Sequence, residues 1–146
     1  MLVSSFDSNL LVYAHNEVAP EHKTAKRFVE KTLIDSSEQI LIVHQTLFEL
    51  FSVLTSGHVF ARPLTPLQAW HMCDFYLTHS SIQIVSYEFP VMSIVEHLLA
   101  ERPQRGNRLF DLVLAATLKY HGVRRLYTRN LKDFQNYSFL EVINPF

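Results

Sequence analysis

Short apolar runs alternate along the chain with longer stretches in which apolar residues recur at helical spacing. Residues 2–6, 39–43 (Gln-Ile-Leu-Ile-Val), 82–85 and 124–128 are brief and β-branched, the pattern of buried strands, and 141–143 suits an edge strand. Helical spacing predicts helices over 8–15, 21–34 (Ala25, Phe28, Val29 and Leu33 on one face), 45–56, 65–78, 89–101 and 108–121. Gly57 and Gly122 stand where two of these should stop, Pro66 lies in the first turn of another, and Pro103 with Gly106 separates the last two. Strands alternating with helices predict an α/β fold with a mainly parallel sheet of four to five strands covered by helices. No Asn-Gly or Asp-Gly turn joins two apolar runs, which argues against an antiparallel sandwich.

Composition narrows this to one domain. The chain has 146 residues, no internal repeat and no Gly/Ser linker, so residues 1–146 are expected to share a single fold. With 48% hydrophobic residues it can build a core without disulfides or a structural metal. Lys+Arg 13 against Asp+Glu 14 leaves a net charge of −1, so any field that attracts nucleic acid must be local. The lone Cys73 and the absence of CxxC or HExxH spacing remove the common zinc frameworks and suit a reducing compartment. Asp7 interrupts the apolar N-terminus and every apolar run is shorter than a membrane span, so a soluble, cytoplasmic protein is expected.

The carboxylates divide into two sets. Glu17, Glu21, Glu30, Asp35 and Glu38 sit among polar neighbours, and Asp74 and Glu96 fall mid-helix, where solvated faces are expected. Asp7, Glu49, Asp111 and Asp133 are instead framed by apolar residues, and carboxylates are seldom buried unless paired. Each alone has a capping role available. Asp7 suits an N-cap, Thr46 and Glu49 have capping-box spacing, Asp111 follows a candidate Asn107 cap, and Asp133 suits a turn. Topology adds a second role. In a parallel sheet the ends of strands and the starts of the following helices share the edge where ligands bind. Asp7, Glu49 and the Asn130/Asp133 segment each follow a strand, and the helix of Asp111 must run back toward 124–128. Two carboxylates about 4 Å apart repel by about 4 kcal/mol at an effective dielectric of 20, so such a cluster calls for a cation. Oxygen donors without His or Cys favour Mg²⁺ or Mn²⁺, the ions that accompany phosphodiester hydrolysis.

These segments resemble the PIN-domain family of metal-dependent ribonucleases, in particular the VapC-type toxins of bacterial toxin–antitoxin modules. The likeness rests on Phe-Asp-Ser-Asn-Leu-Leu-Val-Tyr-Ala from Phe6, Thr46-Leu47-Phe48-Glu49, Arg108-Leu109-Phe110-Asp111 with Leu-Val-Leu-Ala-Ala-Thr after it, and Tyr127-Thr128-Arg129-Asn130-Leu131-Lys132-Asp133-Phe134. It implies that Asp7, Glu49 and Asp111 are the core acidic metal ligands and catalytic residues, with Asp133 the fourth acid and Asn9, Thr128 and Asn130 as supporting polar residues. Many members carry Asp where Asn130 stands. The resemblance further implies RNA hydrolysis with one or two Mg²⁺ (or Mn²⁺) ions, a homodimer, and an antitoxin groove within 21–78.

RNA needs cations near the acids. Arg102, Arg105 and Arg108 precede Asp111, and Arg124, Arg125, Arg129 and Lys132 flank the last motif; Arg108 and Arg129 are the foremost choices for RNA or partner contact. His15, His44 and His121 lie near helix ends, where surface or capping roles are expected. Phe48, Phe51, Val53, Leu54, Phe60 and Trp70 are expected in the core or an interaction surface, Trp70 in the core. Two other readings compete: a catalytically impaired PIN-like module that binds RNA or protein, motivated by Asn130, and an aspartate-based phosphoryl-transfer domain. The second lacks the expected Asp at Asn9 and a Lys at the end of 124–128.

Overall fold

The expected strands and helices form within one or two residues of the expected ends in a computed structural model that describes residues 1–146. In chain order they are β1 (Leu2–Phe6), α1 (Ser8–His15), α2 (His22–Ile34), β2 (Glu38–Val43), α3 (His44–Leu54), α4 (Pro66–Thr78), β3 (Ile82–Val85), α5 (Val91–Glu101), α6 (Arg108–Tyr120), β4 (Arg125–Tyr127), α7 (Leu131–Phe134) and β5 (Glu141–Ile143). The single turn α7 is an addition to the sequence-based set, too short to carry a helical period. The five strands are ordered β3-β2-β1-β4-β5, and every neighbouring pair is parallel. The fold is therefore a single α/β domain with a parallel sheet flanked by helices.

Alternation along β2 explains why both faces are covered. Ile40 and Ile42 point into one buried cluster with Leu10, Leu11, Val29, Leu47, Leu50 and Tyr76, while Leu41 and Val43 enter a second with Leu98, Leu112, Leu118 and Leu126. Helices α1 to α4 thus close one face and α5 to α7 the other. The strand order reverses at β1, which leaves a crevice between the C-terminal ends of β1 and β4, the usual ligand position in such sheets. There the Asp7 N–H donates to the Tyr127 carbonyl at 2.9 Å, fixing Asp7 beside the start of the Thr128 segment.

Several local expectations change. Glu38 is not solvated: its side chain is 8% exposed, accepts from Ser4 Oγ at 2.7 Å and Tyr127 OH at 2.6 Å, and lies 3.9 Å from Arg125. Trp70 is 43% exposed and meets Phe51 edge-on, because its face of α4 carries no covering element. Phe48 is exposed as well, whereas Leu54 belongs to the core. Helix α3 ends at Leu54 with Thr55 as C-cap, two residues before Gly57, which has no positive φ.

Gly122 does end its helix. At φ +74° it lets its own N–H reach the Lys119 carbonyl (3.1 Å) and the Val123 N–H reach that of Leu118 (2.9 Å), closing α6 with buried Val123 and Leu118 together. An added Cβ would meet nothing within 4 Å, so Gly122→Ala should cost only the left-handed strain, about 1–2 kcal/mol. A fall in melting temperature of a few degrees without loss of fold is expected in a thermal scan.

Candidate active site

Asp7 begins the site because it ends β1. Its extended backbone makes it the N-cap of α1, and its Oδ1 accepts from the Ser8 N–H at 2.8 Å. The capping role and a site role coexist. Oδ2 accepts from Thr128 Oγ1 at 2.7 Å and from Asn9 Nδ2 at 3.2 Å, and the residue is only 6% exposed. Thr128 is fully buried and also accepts from the Asn130 N–H at 3.0 Å, while Asn9 Oδ1 accepts from the Arg129 N–H at 3.2 Å. Asn9 and Thr128 therefore tie the loop after β4 to the start of α1 and hold the Asp7 carboxylate in one orientation. Asn130 takes part through its backbone; its side chain is exposed and makes no cap bond to α7.

The other acids are released from capping. Helix α3 starts at His44 with Val43 as N-cap and no side-chain cap bond, so Thr46 and Glu49 form no capping box. Thr46 is buried, and Glu49 accepts from Gln45 Nε2 at 2.7 Å, one turn earlier on the same face. Asn107 occupies the N-cap position of α6 without a side-chain bond, leaving Asp111 in the first turn facing the site. Asp133 lies in the single turn of α7, where its N–H bonds the Asn130 carbonyl at 3.2 Å.

The fold places the four acids close enough to feel one another's charge. Burial raises the Asp7 carboxyl above its ordinary range against the Thr128 and Ser8 hydrogen bonds, and the charges of Glu49 and Asp133 push the same way. The Asp111 carboxyl is pushed up to about 6 by burial first, then by Asp133, Asp7 and Glu49, with Arg108 opposing. Carboxylates from α1's cap, α3, α6 and α7 thus share one negative field. No three or more His, Cys, Asp or Glu side chains are arranged to hold an ion by themselves. The oxygen-only donor set with mutual repulsion still fits a hard divalent ion, since Mg²⁺ is held by one or two carboxylates and keeps several waters.

Two cavities open on either side of Asp111. One of about 150 Å³ is lined by Asp111 and Asp133 with Arg102, Arg108, Lys132 and Tyr137. The other, about 530 Å³, lies between Asp111 and Glu49 and is walled by His44, Phe48, Tyr87 and Phe110. Of the seven flanking cations, Arg102, Arg108 and Lys132 line the basic cavity. Arg124 and Arg125 do not reach it: they stand at the start of β4, the opposite end of the sheet, where Arg125 Nε pairs with Glu141 at 2.8 Å. Arg129 is held by Glu21 at 2.9 Å and lies over the Tyr13 and Phe146 rings, so its guanidinium already has partners. Arg102 and Tyr87 are features that spacing alone does not rank, because loops bring them in, whereas His44, Phe48 and Phe110 enter the wall from the first turns of α3 and α6.

This fold is that of a known class. The PIN-domain profile matches residues 5–140, and the chain belongs to the PIN-domain family. Its relatives there are VapC ribonucleases: it is 33% identical over 141 residues to ribonuclease VapC24 of Mycobacterium tuberculosis, covering 97% of this chain and 95% of that one. Ribonuclease VapC48 of the same organism is 24% identical, with 97% of each chain covered. Among solved structures, M. tuberculosis VapC20, a sarcin–ricin loop cleaving toxin, superposes with a TM-score of 0.68 at 12% identity over 92% of this chain and 95% of that chain. DNA-bound VapBC from Salmonella typhimurium gives 0.65 at 17% identity with 100% of both chains covered. At such identities the structural likeness is one of fold.

Proposed function

We propose that the chain is a Mg²⁺- or Mn²⁺-dependent ribonuclease, the toxin of a toxin–antitoxin pair, acting on RNA in the cytoplasm. The observation that carries this reading is the shared field of Asp7, Glu49, Asp111 and Asp133 at the switch point of the sheet, with Asp111 pushed up to about 6. A bound divalent ion would neutralise that field, polarise the phosphate and acidify water at its surface. Asp7 and Asp111 are the first candidates to hold it, with Glu49 and Asp133 completing the oxygen set. Asn9 and Thr128 fix the Asp7 carboxylate, so less reorganisation is needed when the charge of the substrate arrives. Arg102, Arg108 and Lys132 offer the phosphodiester backbone counter-charges in the adjoining cavity, which positions RNA without reading its sequence. Asn130 joins the site through its backbone N–H, which donates to Thr128 Oγ1 at 3.0 Å, while its side chain is exposed. Relatives solved as VapBC complexes support an antitoxin partner, and exposed Leu67, Trp70 and Phe75 on α4 supply apolar surface for a homodimer or that partner. No helix is long and apolar enough to cross a membrane.

The test is a divalent-ion titration followed by RNA digestion. Cleavage that starts with Mg²⁺ or Mn²⁺ and stops with EDTA is expected; intact RNA at every concentration of both ions would overturn the reading. A subtler variant tests how Asp7 is held. Thr128→Val removes its 2.7 Å donor while nearly keeping the volume, and loss of such a supporting bond typically weakens metal affinity about 10–100-fold. Thr128→Ser should retain most of the parent's Mn²⁺ affinity in a calorimetric titration.

A further inference from the structure

The cavity between Glu49 and Asp111 has an unusual lining for an acidic edge. Phe48 and Phe110, each next in sequence to an acid, are 57% and 55% exposed. The His44 ring packs edge-on against Phe48 at 5.5 Å and Tyr87 at 4.8 Å, so these three rings are connected, and Phe110 lines the same cavity. Burial and the nearby charge of Glu49 push the Tyr87 hydroxyl up to about 12, which keeps it a neutral donor. We infer that this aromatic cavity is a stacking subsite for one unpaired base of the RNA substrate, next to the phosphate held at Asp111. The inference rests on the ribonuclease reading.

Three observations select a base over an apolar side chain of a partner. The two cavities share Asp111, one basic and one aromatic, so a strand whose phosphate lies against Arg102, Arg108 and Lys132 delivers its neighbouring base to the rings. Gln45 and Asn107 add amide groups to the aromatic wall, and a nucleobase has a polar edge to meet them. An apolar plug would instead strip water from Glu49 and Asp111 without supplying a donor, and carboxylates buried that way are costly. Unpaired bases suit the site because stacking on aromatic side chains tolerates any base and needs no duplex opening.

The experiment uses single-stranded RNA carrying 2-aminopurine at successive positions, with Ca²⁺ in place of Mg²⁺ to read affinity apart from cleavage. The parent should quench the probe at one position beside the scissile bond. Phe48→Ala and Phe110→Ala should each lose that quench and weaken binding by about ten-fold or more, while Phe110→Trp retains both. Making the same position abasic should cost the parent affinity but cost Phe110→Ala little. Unchanged affinity in both alanine variants, or no quenching at any position in the parent, overturns the subsite. So does a loss of affinity that occurs only as sedimentation shows the variants falling to half the parent's mass, since the rings would then be a protein interface. A parent that binds and quenches but never cuts with Mg²⁺ or Mn²⁺ sinks the nuclease reading and leaves the subsite standing; one that cuts with no effect of the ring variants does the reverse.

Discussion

Asp111→Asn is expected to lower divalent-ion-dependent RNA cleavage at least about 100-fold and, at the same time, to raise the melting temperature of the metal-free protein. The loss follows from replacing a charged carboxylate by a neutral amide, a weaker ligand for a hard cation, where ion binding is worth several kcal/mol of transition-state stabilisation. The gain follows from repulsion: burial together with Asp133, Asp7 and Glu49 disfavours the charged form of Asp111. The carboxyl titrates at about 6 in the folded chain against an ordinary 3.8, so the folded state binds its proton more tightly than the unfolded state. Stability from this group is therefore present below about pH 4 and lost as pH rises through about 6. The amide does not titrate. The variant should melt close to the parent at pH 4, and its advantage should grow to a plateau above about pH 6.5, a window set by the Asp111 shift. Saturating Mg²⁺ should erase the advantage by stabilising the parent alone. Paired thermal scans across that range, without and with Mg²⁺, check both signs.

Asp7→Asn should abolish cleavage as completely, with a different structural signature. The amide Oδ1 can still accept from the Ser8 N–H, so the cap of α1 survives, but its NH2 takes the place of the oxygen that accepted from Thr128 and Asn9. Both variants take the carboxylate acceptor from the buried Thr128 hydroxyl, but Asp7→Ala removes the cap as well, at a further cost of about 0.5–2 kcal/mol. The alanine variant should therefore melt clearly below the asparagine variant although both are inactive. Equal melting temperatures would show that Asp7 does not cap α1 in solution, and parent-like cleavage by Asp7→Asn would remove it from the acidic set.

The fold was largely readable from the chain because its signals are local. Ile40 and Ile42 on one face of β2, with Leu41 and Val43 on the other, already require cover on both sides of a sheet. Gly122 stops α6 for a reason visible in the residue itself. The acids at Asp7, Glu49 and Asp133 were placed by topology, since residues just beyond the strands of a parallel sheet land on one edge. The features that escaped are tertiary. Glu38 looks solvated among Ser and Gln, yet parallel pairing of β1 with both β2 and β4 sets Ser4, Tyr127 and Arg125 around it. Trp70 has the size of a core residue but lies on the uncovered face of α4. Arg129 and Arg125 are as basic as Arg108, and only the packing of Tyr13, Phe146, Glu21 and Glu141 shows that they are already engaged. Thr46 and Glu49 have capping-box spacing, but the helix starts two residues earlier than Thr46, which frees Glu49 for the site.

Electron paramagnetic resonance of Mn²⁺ with the purified protein probes the shared acidic pocket most directly. Near pH 6 the parent should take up Mn²⁺ with release of a proton, because cation binding draws the Asp111 carboxyl back toward its ordinary range. Uptake should be weakened strongly by either Asp7→Asn or Asp111→Asn, acids that lie 104 positions apart in the chain. Mn²⁺ bound equally well by both variants, or RNA cut by a parent that binds no divalent ion, would contradict a common cation site.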